Sequence, residues 1–244
     1  MSSDTSRGRH LIMVCGVAGP LMLAAYFTVP LLASPLSGVL YAAHPSTVQI
    51  VDAGRRYHEL LNAGTWLQAT GALLAVIFFL ALADITAHGR GLAPKIMQLG
   101  SAVLLAVVLA EAVFTLSWAS TAAGGVAASS RASFDLMSMF IRVFPVVPAP
   151  ALYLSAGWLV LGSTALPRAF GRLALALGTA FALTGLIGVF VPAASAATAG
   201  LSGLQVLWII AAAITLHART RPGREHPPAP ATSAPASTSG GAAR

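Results

Sequence analysis

Two charged side chains, Glu111 and Arg142, lie inside long apolar runs of the sequence. A charge at the centre of a membrane helix costs about 2.5 to 3.5 kcal/mol, so such residues need a partner or a function. Three interpretations are open. The two charges form an ion pair that fixes helix packing, or Glu111 is the titratable group of an outward-facing pocket or ion path, or Glu111 is protonated and unpaired.

The two charges are predicted to share one depth in the membrane. Glu111 precedes the end of its apolar run at Trp118 by about 10 Å, and Arg142 follows the start of the next run at Leu136 by about 9 Å, at 1.5 Å per residue. Consecutive antiparallel helices are usually neighbours, so the sequence predicts a Glu111 to Arg142 pair that faces the bundle interior. Other polar side chains at a similar level complete a candidate intramembrane polar site: Gln68, Thr115, Ser138 and Gln205.

The run that holds Arg142 also contains three prolines, Pro145, Pro148 and Pro150. Each proline removes a backbone donor and clashes with the carbonyl four residues earlier, so this span is predicted to be broken near its middle. Broken helices form binding sites in transporters, because their freed backbone groups can bind side chains, water or a ligand. The other interpretation is a structural kink that binds no ligand.

The elements that carry these residues are predicted from composition and hydropathy. Of the 244 residues, 57% are hydrophobic and 9% are charged, against about 25% charged residues in a soluble domain. This composition excludes a soluble globular enzyme. Apolar runs that reach about 20 residues predict an all-α polytopic membrane helix bundle with six transmembrane helices. The spans are predicted at about residues 11–33, 63–83, 96–118, 136–161, 173–191 and 200–217.

The basic residues between these spans predict the orientation in the membrane. One side carries ten of them, namely Arg7, Arg9, Arg90, Lys95, Arg168, Arg172, Arg219, Arg221, Arg224 and Arg244. The other side carries three, namely Arg55, Arg56 and Arg131. The positive-inside rule therefore places both termini in the cytoplasm, and it explains the net charge of +7 without a nucleic-acid partner.

The preference for Arg over Lys, together with abundant Ala and Gly, indicates a bacterial source and so a location in the bacterial plasma membrane. The basic residues before the first span make a cleaved signal peptide an alternative interpretation of this run. A run of 23 residues that contains Pro20 and lacks a clear cleavage pattern favours a retained span.

The first outer loop is predicted to contain an interfacial helix. Ser46 followed by Gln49 is a capping-box pattern, which predicts a helix start. Its charged face would hold Asp52, Arg55, Arg56 and Glu59, with ion pairs from Asp52 to Arg56 and from Arg55 to Glu59, and its other face Val51, Gly54, Tyr57 and Leu61. The charged face is interpreted as solvated, with an anion site, or a metal site of His44, Asp52, His58 and Glu59, as alternatives. Residues 218–244, rich in Pro, Ala and Ser, are predicted to form a disordered cytoplasmic tail.

Three glycines at seven-residue spacing in the fifth span, Gly171, Gly178 and Gly185, predict close helix packing. The packing partner is another span of the same chain or, alternatively, a second subunit in a homo-oligomer. No nucleophile motif, phosphate loop or zinc-ligand spacing occurs, and Cys15 is the single cysteine. No catalytic residue, metal or cofactor is therefore predicted, and the protein is not expected to be an enzyme.

The segment from Leu166 to Gly171, with the sequence LPRAFG, follows a glycine-containing span and leads into the glycine-repeated fifth span. This segment resembles part of a domain-of-unknown-function family of six-helix bacterial integral membrane proteins, mainly over residues 151–191. The resemblance implies six helices and no assigned activity.

The expected function is that of a non-enzymatic membrane scaffold or interaction protein, whose partners are the lipid bilayer and a second membrane protein or another copy of the chain. The alternative is a small-solute or proton-coupled permease that uses Glu111, Arg142 and the broken fourth helix.

Overall fold

A computed structural model describes residues 2–32, 34–40, 42, 44–87, 91–190 and 194–219. Its secondary-structure elements are all helices: α1 (Ser2–Leu32), α2 (Ser34–Leu40), α3 (Thr47–Arg56), α4 (His58–Thr86), α5 (Leu92–Ala123), α6 (Ala127–Val146), α7 (Pro148–Leu161), α8 (Arg168–Phe190) and α9 (Ala194–Arg219). The predicted all-helical class is confirmed. The tail was predicted to be disordered over residues 218–244, but Ala218 and Arg219 belong to α9, and the rest, from Thr220 onward, lies outside the described residues.

Five helices of the described chain are long and apolar enough to cross a membrane. These segments are His10–Thr28, His58–Thr86, Leu92–Ala123, Arg168–Gly188 and Gly200–Arg219. They correspond to the first, second, third, fifth and sixth predicted spans. Several of the helices continue beyond the predicted spans, since a helix does not have to end where its apolar run meets polar residues.

The fourth predicted span is divided between two helices. α6 ends at Val146, and α7, an apolar helix of 14 residues, begins at Pro148. Val147 joins them with φ −122° and ψ −64°, outside the helical region. Pro148 lacks an N–H, which costs nothing at the first position of a helix but would break a hydrogen bond inside one. The first of the two helices, α6, therefore ends before Pro148.

Glycines bring the neighbouring helices into close contact. A Cβ atom on Gly19 of α1 would lie 2.8 Å from the carbonyl oxygen of Gly71 in α4. A Cβ atom on Gly171 of α8 would lie 2.7 Å from Leu161 Cγ, and one on Gly178 would lie 2.9 Å from the backbone nitrogen of Leu154. The packing partner of Gly171 and Gly178 is therefore α7 of the same chain. Gly185 is also buried.

Two apolar clusters lie at different levels of the bundle. The first is rich in aromatic rings, with Tyr153 packed 5.8 Å from Phe79 and 5.6 Å from Trp208, measured between ring centroids. The second lies at the end of the bundle that carries α3 and includes Ile50 and Trp118. We call this end the α3 end.

α3 begins as predicted but ends earlier. The capping box forms, since Gln49 N donates to Ser46 Oγ at 3.3 Å and Ser46 N donates to Gln49 Oε1 at 2.8 Å. The helix ends at Arg56, so Glu59 and Leu61 belong to α4 and the predicted eight-residue charged face is interrupted at Tyr57.

The buried face of α3 also differs from the prediction, because the helix packs on the bundle. Ile50, Ala53 and Gly54 are buried, whereas Val51 and Tyr57 are only partly buried. Trp118 Nε1 of α5 donates to the Ile50 carbonyl oxygen at 3.0 Å, and a Cβ on Gly54 would clash with Trp118 and Ala122.

The charged residues of this region do not pair as predicted. Among the described residues, Arg131 forms an ion pair with Asp135 at 2.8 Å and His58 Nδ1 lies 3.4 Å from Glu59 Oε1, so neither predicted pair of the α3 face is present. The structure shows no group of three His, Cys, Asp or Glu side chains among the described residues that could hold a metal ion. The alternative metal site of the first outer loop therefore has no support in the arrangement of these side chains.

Candidate polar site

Polar side chains from three helices meet at Glu111 of α5. Tyr26 of α1 donates its hydroxyl to Glu111 Oε1 at 3.3 Å. The Gln68 side chain of α4 lies beside the same carboxyl group. Since a carboxylate oxygen can only accept, the Tyr26 hydroxyl acts as the donor to it. We call Tyr26, Gln68 and Glu111 the polar layer.

The sequence of α4 explains how Tyr26 reaches this position. Gly64 lies one helical turn before Gln68, and a Cβ atom there would be 3.4 Å from Tyr26 Cδ2. The close crossing at Gly19 and Gly71 further draws α1 and α4 together. The missing side chains on α4 thus leave space in which the tyrosine ring packs, with its hydroxyl directed at α5.

The other predicted polar residues are placed differently. Thr115 Oγ1 donates to the backbone oxygen of Glu111 at 2.9 Å, and Ser138 Oγ donates to the backbone oxygen of Asp135 at 2.8 Å. Both hydroxyls therefore satisfy their own helices and do not contact the carboxylate. Gln205 is buried on α9, which packs mainly on α1 and α8.

The predicted partner Arg142 lies in α6, but its side chain, like those of residues 141–145, lies outside the described residues. The Glu111 to Arg142 pair therefore stays a prediction. Pro148 and Pro150 are buried at the start of α7, and Pro145 lies in the last turns of α6.

One atom of the polar layer has an unmet hydrogen-bonding requirement. Gln68 is only 3% exposed, and its Oε1 has no hydrogen-bond partner among the described residues. Most buried polar atoms in proteins are paired, since an unpaired one loses its interaction with water without replacement.

A small cavity of about 30 Å³ adjoins the layer toward the α3 end. Tyr26 and Thr115 contribute its hydroxyl groups, while α2 covers it with Leu36 and Leu40. The remaining lining residues are Leu60, Leu61, Gly64, Trp118 and Met137. A water needs roughly 10 to 15 Å³ by this measure, so the cavity has room for one or two waters.

Tyr26 was not part of the predicted site, although a signal for it exists. It precedes the end of the first predicted span, at residue 33, by seven residues, the same distance that separates Glu111 from Trp118. The depth rule that selected Gln68 and Thr115 therefore also selects Tyr26, once tyrosine is counted as a hydrogen-bonding residue rather than as an apolar ring.

No family model, curated protein or solved structure matches this chain. The resemblance of residues 151–191 to a six-helix membrane family accordingly stays an expectation from the sequence.

Proposed function

We propose that the chain is a bacterial plasma-membrane protein with six spans and cytoplasmic termini, which acts as a non-enzymatic scaffold or interaction protein. Five spans are the long apolar helices described above. The sixth is formed by α6 and α7 together. The ten-to-three distribution of basic residues supports the orientation, because Lys and Arg accumulate on the cytoplasmic side.

The observation that carries the scaffold function is the small size of the cavity next to the polar layer. Glu111 accepts a hydrogen bond from Tyr26 of α1 and lies beside Gln68 of α4, and the cavity that Tyr26 lines has a volume of about 30 Å³. A small-molecule site is usually a cleft of about 300 to 1,000 Å³. A polar layer of this kind joins α1, α4 and α5 and sets their register, and so small a cavity does not favour a solute path.

A second function, a small-solute or proton-coupled permease, is favoured by one observation. The break at Val147 divides a span near its centre, where transporters often place discontinuous helices. In that function Glu111 and Arg142 would take part in binding or proton transfer.

Reconstituted liposomes separate the two functions. We expect wild-type protein and the Glu111→Gln variant to show the same proton and solute flux as protein-free liposomes under an imposed gradient. The Glu59→Gln variant is the control, since this glutamate is 94% exposed at the start of α4. A flux in wild type and in Glu59→Gln that Glu111→Gln abolishes would contradict the scaffold function and favour the permease.

A further inference from the structure

α7 and α8 pack against each other as an antiparallel pair. Gly171 of α8 approaches Leu161 of α7, whereas Gly178, later in α8, approaches Leu154, earlier in α7. A Cβ atom on Gly157 would lie 2.8 Å from the carbonyl oxygen of Gly171. Gly157 and Gly171 therefore face each other at one level of the pair.

The residues that follow these two glycines are Trp158 and Arg172. An approximate two-fold axis between antiparallel helices relates one to the other, so Trp158 and Arg172 lie on the same side of the pair and at the same level. Arg168, four residues before Arg172, lies on the same face of α8 one turn nearer its start. Both arginines are exposed, and Trp158 is 70% exposed.

The opposite side of the pair is covered by α9. Phe170, which precedes Gly171, accepts a hydrogen bond at its carbonyl oxygen from Trp208 Nε1 of α9 at 3.0 Å, and the two rings are 6.3 Å apart between centroids. α9 thus packs on the side away from the arginines. We call the exposed side with Trp158, Arg168 and Arg172 the α7–α8 groove.

The positive charge of this region has no acidic counterpart nearby in the chain. The sequence from Pro148 to Arg219 contains no Asp or Glu, and neither Arg168 nor Arg172 forms an ion pair with a described residue. Arg219 adds a third positive charge at the connection between the two helices, where its Nη1 donates to the Thr164 carbonyl oxygen at 3.4 Å. A counter-charge for the groove must therefore come from outside this part of the chain.

The surroundings of the arginines are those of a membrane boundary. Arg172 lies about 6 Å further along α8 than Arg168, and its neighbour Leu173 is 57% exposed. Tryptophan is enriched where the apolar region of a bilayer meets the headgroups, which places Arg172 near the level of lipid phosphates. An occupant of the groove thus meets two guanidinium groups at one end and apolar side chains at the other.

We propose that the α7–α8 groove binds one anionic phospholipid, with Arg168 and Arg172 on its phosphate group and Trp158 against its glycerol and upper acyl chains. Arginine suits a phosphate because its guanidinium group can donate two parallel hydrogen bonds. A zwitterionic lipid brings its own positive charge, so it would leave the groove without a net counter-charge. This inference goes beyond the proposed function, since a bound lipid does not require a scaffold or a permease.

The test is the thermal unfolding of the full-length protein in detergent with added dioleoyl phosphatidylglycerol or dioleoyl phosphatidylcholine. A ligand that binds the folded state raises the unfolding temperature as its concentration exceeds the dissociation constant. We expect a larger rise with phosphatidylglycerol than with phosphatidylcholine in wild type. In Arg168→Gln/Arg172→Gln, the phosphatidylglycerol concentration needed for a given rise should increase at least about tenfold.

Two matched controls separate this site from general effects of charge and of aromatic residues. Arg55→Gln/Arg56→Gln removes two exposed arginines at the α3 end and should respond to phosphatidylglycerol as wild type does. Trp158→Leu should require about threefold more phosphatidylglycerol, whereas Trp66→Leu, which changes a tryptophan of α4 that is 62% exposed, should not.

Equal responses of the wild type to the two lipids would overturn the proposal. An equal loss in the two double-arginine variants would also overturn it, because surface charge in general would then attract the lipid. A rise produced by inorganic phosphate alone and abolished in Arg168→Gln/Arg172→Gln would identify a free phosphate as the occupant instead. Should that double variant fail to fold, an unchanged phosphatidylglycerol response in the single variant Arg172→Gln would still contradict the proposal.

Discussion

At the scale of single residues, depth within the membrane was the useful signal. It selected Glu111 and Gln68, which the structure brings together, and it applies equally to Tyr26. Depth alone could not show that the hydroxyls of Thr115 and Ser138 turn back to their own helices, because that depends on the side-chain rotamer and on a local backbone acceptor.

We predict that Glu111 and Arg142 are energetically coupled. Removing one partner of a buried ion pair leaves the other charge unpaired, at a cost of about 3 to 5 kcal/mol in soluble proteins, which snorkelling of Arg142 would reduce here. Glu111→Gln and Arg142→Gln should each lower the stability in detergent more than the double variant does. Additive losses in a double-mutant cycle would show that the two side chains do not meet.

At the scale of helices, the start of α3 was predicted better than its end. The capping box marks the start of α3 by two specific side-chain hydrogen bonds, and these form. The end at Tyr57 has no comparable signal. It depends on packing, because Ile50 and Gly54 lie against Trp118 of α5 and the chain must turn from this position into α4.

The proline-containing span shows what sequence can establish about a helix break. The prolines predict that a regular helix cannot continue, and the break falls at Val147, directly before Pro148. The choice among three prolines is made by packing. Pro145 lies within α6, whereas Pro148 and Pro150 are buried in the first turn of α7.

We predict that the crossing of α7 and α8 requires glycine at position 178. In Gly178→Ala, the new Cβ would lie 2.9 Å from the backbone nitrogen of Leu154, so the two helices must separate. The expected loss of stability is about 1 to 3 kcal/mol, as for other overpacked sites. Chemical unfolding in detergent measures it.

Gly203→Ala in α9 is the matched control for this variant. Nothing lies within 4 Å of the position that its Cβ would occupy, so the substitution adds helix propensity without a clash. Its stability should be unchanged or higher by up to about 1 kcal/mol. A similar effect of both substitutions would contradict a specific role of Gly178 in the crossing.

At the scale of the whole molecule, composition and hydropathy predicted the helical class and located five helices long enough to cross a membrane. Which helices pack against each other could not be predicted in the same way. It depends on glycines such as Gly19 and Gly71, whose partners are visible only when the helices are placed in space. The direction of insertion rests on the distribution of basic residues.

The number of crossings depends on the divided helix. If α6 and α7 together cross the membrane, the connections on either side of them face opposite compartments. Ala128 lies in the first turn of α6 and Thr164 lies between α7 and α8, and both are exposed. Cysteine labelling at these two positions tests the crossing directly, in a Cys15→Ala background that removes the single native cysteine.

The measurement uses a membrane-impermeant thiol reagent on intact cells, with Asp52→Cys as a control, since this exposed position is predicted to lie outside whether or not α6 and α7 cross. We expect Ala128→Cys to be labelled from outside and Thr164→Cys to be labelled only after the membrane is permeabilised. Labelling of both positions from outside would show that α6 and α7 do not cross. Labelling of Thr164→Cys alone would show that the orientation is reversed, and either result would contradict the six-span arrangement with cytoplasmic termini.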